Sequence, residues 1–243
     1  AVATVLGYVV STIIALIQLF LTKQKVKPVF KNCLEPQMIK LIFSYGLPSF
    51  VMNALGAFTV NFANMFLVRY SDTAVAFFGA YFKVQQLVFM TVNGLIQGCL
   101  PIMRFNYRAK EYGRLKQANK SGTIIATVMM IVGMLLVLIF PKEILFLFSA
   151  SEEMCAFGVP AMRIMSLGFV FSGFSAMIAT YEQATDSIMP GVVVQLLRQG
   201  VLLVPVIWLL NSAVQMTGIW LAFPITEFVT FLVAVVFAKI KNH

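Results

Sequence analysis

Charge is what this sequence has least of. Only 11% of its 243 residues are Asp, Glu, Lys or Arg, where a soluble domain carries about a quarter. Histidine is nearly absent: the single one is His243, the last residue, so neither HExxH nor a His-based triad can be assembled. GxSxG and a glycine-rich phosphate loop are missing too. The acidic residues do not pair up in apolar surroundings, because Glu152-Glu153 lies between apolar runs and Glu182 and Asp186 flank a helix junction. Cys33, Cys99 and Cys155 are far apart and form no CxxC, which predicts free buried thiols rather than a metal or redox centre. These absences argue against an enzyme, and nothing in the sequence asks for a cofactor.

What fills the space is apolar. Hydrophobic residues make up 60% of the chain and the mean hydropathy is +0.90. They come in runs of about 20 residues, the length that crosses a bilayer as a helix. Strands of a membrane barrel alternate apolar and polar residues over about ten positions, and these runs do not. The net charge of +9 sits in short caps between the runs, not over a solvated face as nucleic-acid binding requires. The sequence begins at Ala1 inside an apolar run, without a basic leader, so it reads as a fragment lacking a signal peptide.

The orienting stretch is Asn93 to Lys120. Its first third is apolar, and beyond Pro101 it carries Arg104, Arg108, Lys110, Arg114, Lys116 and Lys120 against Glu111 alone. Short loops rich in Lys and Arg stay cytoplasmic. Around it the chain divides into seven expected spans: 1–22, 37–67, 74–103, 121–140, 159–180, 187–210 and 214–238. The second is long for one crossing and is expected to begin as an interfacial turn with Lys40, entering the membrane near Gly46-Leu47-Pro48. Segments 23–40 and 104–120 and the C-terminal tail hold thirteen of the eighteen Lys and Arg residues, the alternate loops only Arg69 and Lys142. That asymmetry predicts a cell-membrane protein with its C-terminus inside.

Polar side chains within the spans are the candidate functional residues. Lys83, Gln86, Met90, Asn93, Gln97, Pro101 and Arg104 are spaced 3, 4, 3, 4, 4 and 3 apart, on one helical face. Amides and an ammonium are costly in hydrocarbon, so the face is expected to line a cavity. The second span has a milder face, Ser49, Asn53, Gly56, Ala57 and Asn64, with Asn61 at its edge. Packing of helices through small and amide side chains explains that face better than a cavity does, with Asn53 and Asn64 its candidates for a cavity lining. Arg198 and Glu227 lie at similar depth in the last two spans, joined by the short link 211–215. An unpaired charge there is expensive, so the two are expected to form an intramembrane ion pair.

Several stretches resemble a known family. Gly46-Leu47-Pro48, Gln97-Gly98 with Pro101, and Asn106-Tyr107-x-Ala109 are similar to the multidrug and toxic compound extrusion (MATE) family. So are Gln183-Ala184, Leu196-Leu197-Arg198-Gln199 and Gly218-Ile219-Trp220-Leu221-Ala222-Phe223-Pro224-Ile225, and the likeness covers nearly the whole chain. The resemblance implies an all-α polytopic protein with seven transmembrane helices. Residues 1–22 would be the last helix of an N-terminal lobe, 23–36 a cytoplasmic linker and 37–243 a six-helix C-terminal lobe. It implies alternating access and export of organic cations or drugs in exchange for protons or sodium, together with a missing N-terminal lobe and surrounding membrane lipid as partners. Arg108 and Thr185-Asp186 stand where the family pattern has glycine, and the second span offers asparagines where some members carry a coupling carboxylate. Two other readings stay open: a flippase for a lipid-linked precursor, kept by Lys83, Arg163 and Arg198, and a membrane scaffold, which would need no polar stripe.

Overall fold

The computed structural model describes residues 2–21, 35–185 and 193–241. They are helical with short connections: α1 (Val2–Leu21), α2 (Pro36–Leu67), α3 (Asp72–Arg108), α4 (Tyr112–Ile139), α5 (Pro141–Leu147), α6 (Glu152–Ser166), α7 (Phe169–Ala184), a π-helical turn at Leu197–Val201, and α8 (Leu203–Lys241). Backbone polarity explains the choice. Hydrocarbon offers no hydrogen-bond partner, so each spanning segment must satisfy its own N–H and C=O groups. Hydroxyls inside the helices do the same: Ser172, Ser175 and Thr180 donate to Gly168, Phe171 and Ala176 carbonyls four residues back.

The chain falls into two compact units, Ala1–Leu47 and Pro48–His243. In the first, the described side chains of α1 are nearly all exposed, Val5, Tyr8 and Ile13 among them. The basic residues Lys23, Lys25, Lys27 and Lys31, with Cys33, lie outside the described residues.

The second unit holds the core. α4 packs between α3 and α7, and small residues allow the close approach: Gly133 meets Val88 of α3, and Gly173 of α7 meets Ala126 and Met130. An aromatic cluster joins α3, α6 and α8. Phe77 meets Trp220 edge-on at 5.2 Å and Phe157 at 5.6 Å, while Phe78 lies 5.7 Å from Phe223. Helix starts follow the local sequence. Ser71 caps α3 by accepting from the Ala74 N–H at 3.0 Å, with Asp72 in the first turn, and Ser151 caps α6 through Met154 ahead of Glu152 and Glu153.

Several boundaries differ from expectation. α2 has no interfacial turn near Lys40 but is helical from Pro36 through Pro48 to Leu67. The basic stretch 104–120 is mostly helix: α3 ends at Arg108, Lys110 takes a left-handed φ of 60°, and α4 already begins at Tyr112. Segment 141–157, which lies between the fourth and fifth expected spans, is α5 and the start of α6, because Pro141 and Ser151 both initiate helices. The fifth crossing is longer than 159–180, running Glu152–Ala184 with a break at Leu167 and Gly168. The start of the sixth falls partly on residues 186–192, outside the described set.

Among the described residues, four segments are long and apolar enough to cross a membrane: Asp72–Arg108, Tyr112–Ile139, Glu152–Ala184 and Leu203–Phe237. The last doubles back. Val214 and Gln215 leave helical geometry, Gln215 with φ 54°, and Gly218 comes so near the Leu210 carbonyl that a Cβ would run into it. Eight residues of unbroken helix would hold those two about 12 Å apart. α8 is therefore a tight helical hairpin with arms 203–213 and 216–241. Its tip lies beside the turn after α2, where the Tyr70 hydroxyl donates to Asn211 Oδ1 at 2.9 Å.

Candidate functional site

The polar stripe of α3 keeps its register. Lys83, Gln86, Met90, Asn93, Gln97, Pro101 and Arg104 are all exposed on one face, while Val84, Val92 and Met103 on other faces are buried. The first half of that face, Lys83 to Asn93, borders a cavity of about 630 Å³ between α2, α3, the π turn and α8. Gly56, Ala57, Thr59 and Val60 form the α2 wall, and Lys83, Gln85, Gln86, Phe89 and Asn93 the α3 wall. Gln195, Arg198, Leu203, Phe223 and Glu227 close the far side.

The charged groups in the cavity are arranged around one pair. Arg198 Nε donates to Glu227 Oε1 at 2.9 Å, with side-chain exposures of 18% and 14%. The guanidinium also lies over the Phe89 ring, its Cζ 4.7 Å from the centroid, a position favoured by the negative ring face. Phe89 is itself held edge-on by Phe169 at 5.7 Å. Glu227 Oε2 is buried without a hydrogen-bond partner. Lys83 forms no ion pair among the described residues, and its Nζ stands 6.0 Å from the Phe148 ring centroid. Lys83 and Arg198 against Glu227 leave the described lining with one net positive charge.

Local sequence places the pair. Arg198 sits in the π turn, a break in helical pitch of the kind that concentrates at functional sites. Glu227 is on the second arm of the α8 hairpin, so the reversal at Val214 and Gln215 is what brings two residues 29 positions apart within hydrogen-bond reach. The break between α6 and α7 lies close against the stem of the Glu227 side chain. A Cβ at Gly168 would lie 3.3 Å from Glu227 Cγ and 3.3 Å from Pro224 Cα. A larger residue there would make the Glu227 side chain and Pro224 give by a few tenths of an ångström.

Of the residues singled out by sequence, Lys83, Gln86, Asn93, Arg198 and Glu227 come together around this cavity. Gln97 shares their face on α3 but lies beyond the lining. Asn64 is half-buried on α2, away from the cavity, with Oδ1 unpartnered. It stands two turns beyond Gly56 and Ala57 along the helix. The side chain of Asn53 is outside the described residues. Gln85, Gln195 and Phe89 were not singled out. Gln85 stands one position off the stripe, Gln195 precedes a break in helical pitch, and an aromatic in an apolar run carries no signal of its own. Cys99 and Cys155 are free thiols, half-buried. Among the described residues no three His, Cys, Asp or Glu gather to hold a metal ion.

Comparison with known proteins follows the same lines. The family model for MatE matches residues 48–209. The chain is 26% identical over 183 residues to the multidrug export protein MepA of Staphylococcus aureus (strain MSSA476), covering 75% of this chain and 40% of that protein. To MepA of Staphylococcus haemolyticus it is 27% identical over 207 residues, covering 85% and 45%. Among solved structures, an outward-facing multidrug resistance MATE transporter of the MOP superfamily superposes with a TM-score of 0.84 at 18% identity, over 98% of this chain and 55% of that one. A MOP-superfamily transporter from Pyrococcus furiosus, described as having a binding pocket of reverse polarity, superposes with a TM-score of 0.85 at 18% identity, over 98% and 55%. The chain thus spans less than half the length of these curated relatives. Its helices are those of a multi-pass membrane protein, and since the MatE model matches more than half of its residues, the chain belongs to the MATE family of transporters.

Proposed function

We propose that this chain is the C-terminal lobe, with one preceding helix, of an exporter that moves organic cations or drugs out of the cell by antiport with protons or sodium. The observation that carries the reading is the cavity itself: about 630 Å³ bordered by Gln85, Gln86, Asn93 and Gln195, with a carboxylate, Glu227, at its wall. A non-transporting scaffold has no use for such a space, since each amide costs stability in hydrocarbon. The stripe of α3 stays exposed along its length. That suits a helix facing a second lobe across a central passage, in a complete protein whose two halves open alternately to either side.

In this reading residues 1–22 end the N-terminal lobe, 23–36 link the lobes in the cytoplasm, and 37–243 cross six more times to a cytoplasmic C-terminus. The basic ends of α3 and α4, Arg104 to Lys120, then meet the inner leaflet. Glu227 is the carboxylate through which a proton or sodium ion would be exchanged for substrate. A flippase for a lipid-linked precursor suits the cavity less well. Of the three basic residues that favoured it, Arg163 lies outside the lining and Arg198 is neutralised by Glu227, so Lys83 alone is left to meet phosphate.

Inside-out vesicles of the complete protein test this. Ethidium should accumulate when a proton or sodium gradient is imposed, and lipid-linked sugar should not turn over. Cysteines introduced at Gln86 and Asn93 should react with a small polar thiol reagent unless substrate is present; one at Gln97 should react regardless. Sugar-lipid turnover without ethidium movement would reverse the choice between exporter and flippase.

A further inference from the structure

We propose that the Arg198 guanidinium occupies the chain's own subsite for an organic cation, and that substrate binds there by displacing it. The inference rests on the export reading and narrows it to a place. An organic cation without strong hydrogen-bonding groups is recognised by two features, the face of an aromatic ring and a carboxylate held away from bulk water. In the described cavity lining, those features are joined at Phe89 and Glu227. Both are already engaged by Arg198, with Cζ 4.7 Å from the Phe89 centroid and Nε 2.9 Å from Glu227 Oε1.

The engagement is incomplete, which leaves room for exchange. Glu227 Oε2 has no hydrogen-bond partner, and the ion pair is a single bond through Nε instead of the two-pronged contact a guanidinium can make. Phe89 is fixed by Phe169 and cannot easily turn its face away. Arg198 stands on the π turn, where Gly200 at φ 173° and ψ −34° already departs from helical geometry. Charge argues for displacement instead of binding alongside. Lys83 and Arg198 outweigh Glu227 by one, so an arriving cation meets net repulsion while Arg198 holds the acid. Once Arg198 swings off, the same carboxylate faces the substrate. The tethered guanidinium is then a built-in competitor, keeping the subsite filled when no cation is there.

Affinity for tetraphenylphosphonium and ethidium, measured on the complete protein in detergent, tests the competition. Arg198→Gln removes the competitor and should bind both about thirtyfold more tightly, the size of one desolvated cation–π contact. Arg198→Gln with Glu227→Gln should lose that gain. Should Arg198→Gln fail to fold, the unaltered protein decides: tetraphenylphosphonium should raise phenylglyoxal labelling of Arg198, followed by peptide mass spectrometry, because it pushes the guanidinium out of its pair. A folded Arg198→Gln that binds no tighter, or labelling that falls on adding the cation, overturns the proposal while leaving export standing. Absence of cation binding in every form overturns both.

Discussion

Removing Glu227 while keeping Arg198 is the most informative perturbation of this bundle. At 2.9 Å the attraction between unit charges is roughly 6 kcal/mol at an effective dielectric of 20. Most of it is offset by the cost of taking both ions out of water. Glu227→Ala recovers none of the cost already borne by Arg198, whose side chain is only 18% exposed. Breaking a fully buried pair costs about 3–5 kcal/mol. Here the pair borders a cavity that water can enter, and Phe89 still supports the guanidinium, so about 2–3 kcal/mol is the reasoned loss. For a unit of this size that is roughly 4–12 °C of melting temperature. The double replacement Arg198→Met with Glu227→Leu strands no charge and should melt within about 3 °C of the parent protein. The measurement is thermal unfolding of the complete protein in detergent, read by fluorescence-detected size exclusion. A double variant less stable than Glu227→Ala would refute the reasoning, because the pair would then be a net stabiliser and not a mutual neutralisation.

Gly218→Ala should abolish folded protein, since the new methyl meets the backbone carbonyl of Leu210, which cannot yield without opening the hairpin. Gly113→Ala, with nothing within 4 Å, should be silent in the same yield assay. Replacing Arg114 and Lys116 by Gln should lower insertion or yield, each removing about 1 kcal/mol of attraction to an anionic leaflet, while the rank order of exported substrates stays the same; an altered substrate profile with normal insertion would make these residues substrate contacts.

Much of the bundle was legible because membranes impose simple rules. Apolar runs near 20 residues must be helices, and a 3-4 repeat of polar residues must mark one face, so the stripe from Lys83 to Arg104 could be read without coordinates. The chemistry of the Arg198 and Glu227 contact was equally open to reasoning, because two opposite charges at one depth on neighbouring helices have little else to do. The amino-acid order alone could not say how far along each face the cavity reaches. Gln97 repeats the spacing of Asn93 yet falls outside, and Asn64 continues the face of Ala57 yet lies two turns beyond the lining, because where a cavity ends depends on which other helices stand opposite. Tertiary packing also decided the breaks. The turn at Leu167 and Gly168 and the π turn at Arg198 carry no strong local signal, whereas the reversal at Val214 and Gln215 falls in the link 211–215 expected between the last two spans. Close approach accompanies each of them: Gly168 lies against Pro224 and the Glu227 side chain, Gly200 against the side chains of Leu55 and Thr59, and Gly218 against the Leu210 carbonyl. Periodicity is a property of one helix, whereas close approach is a property of two, and a single chain of letters records only the first.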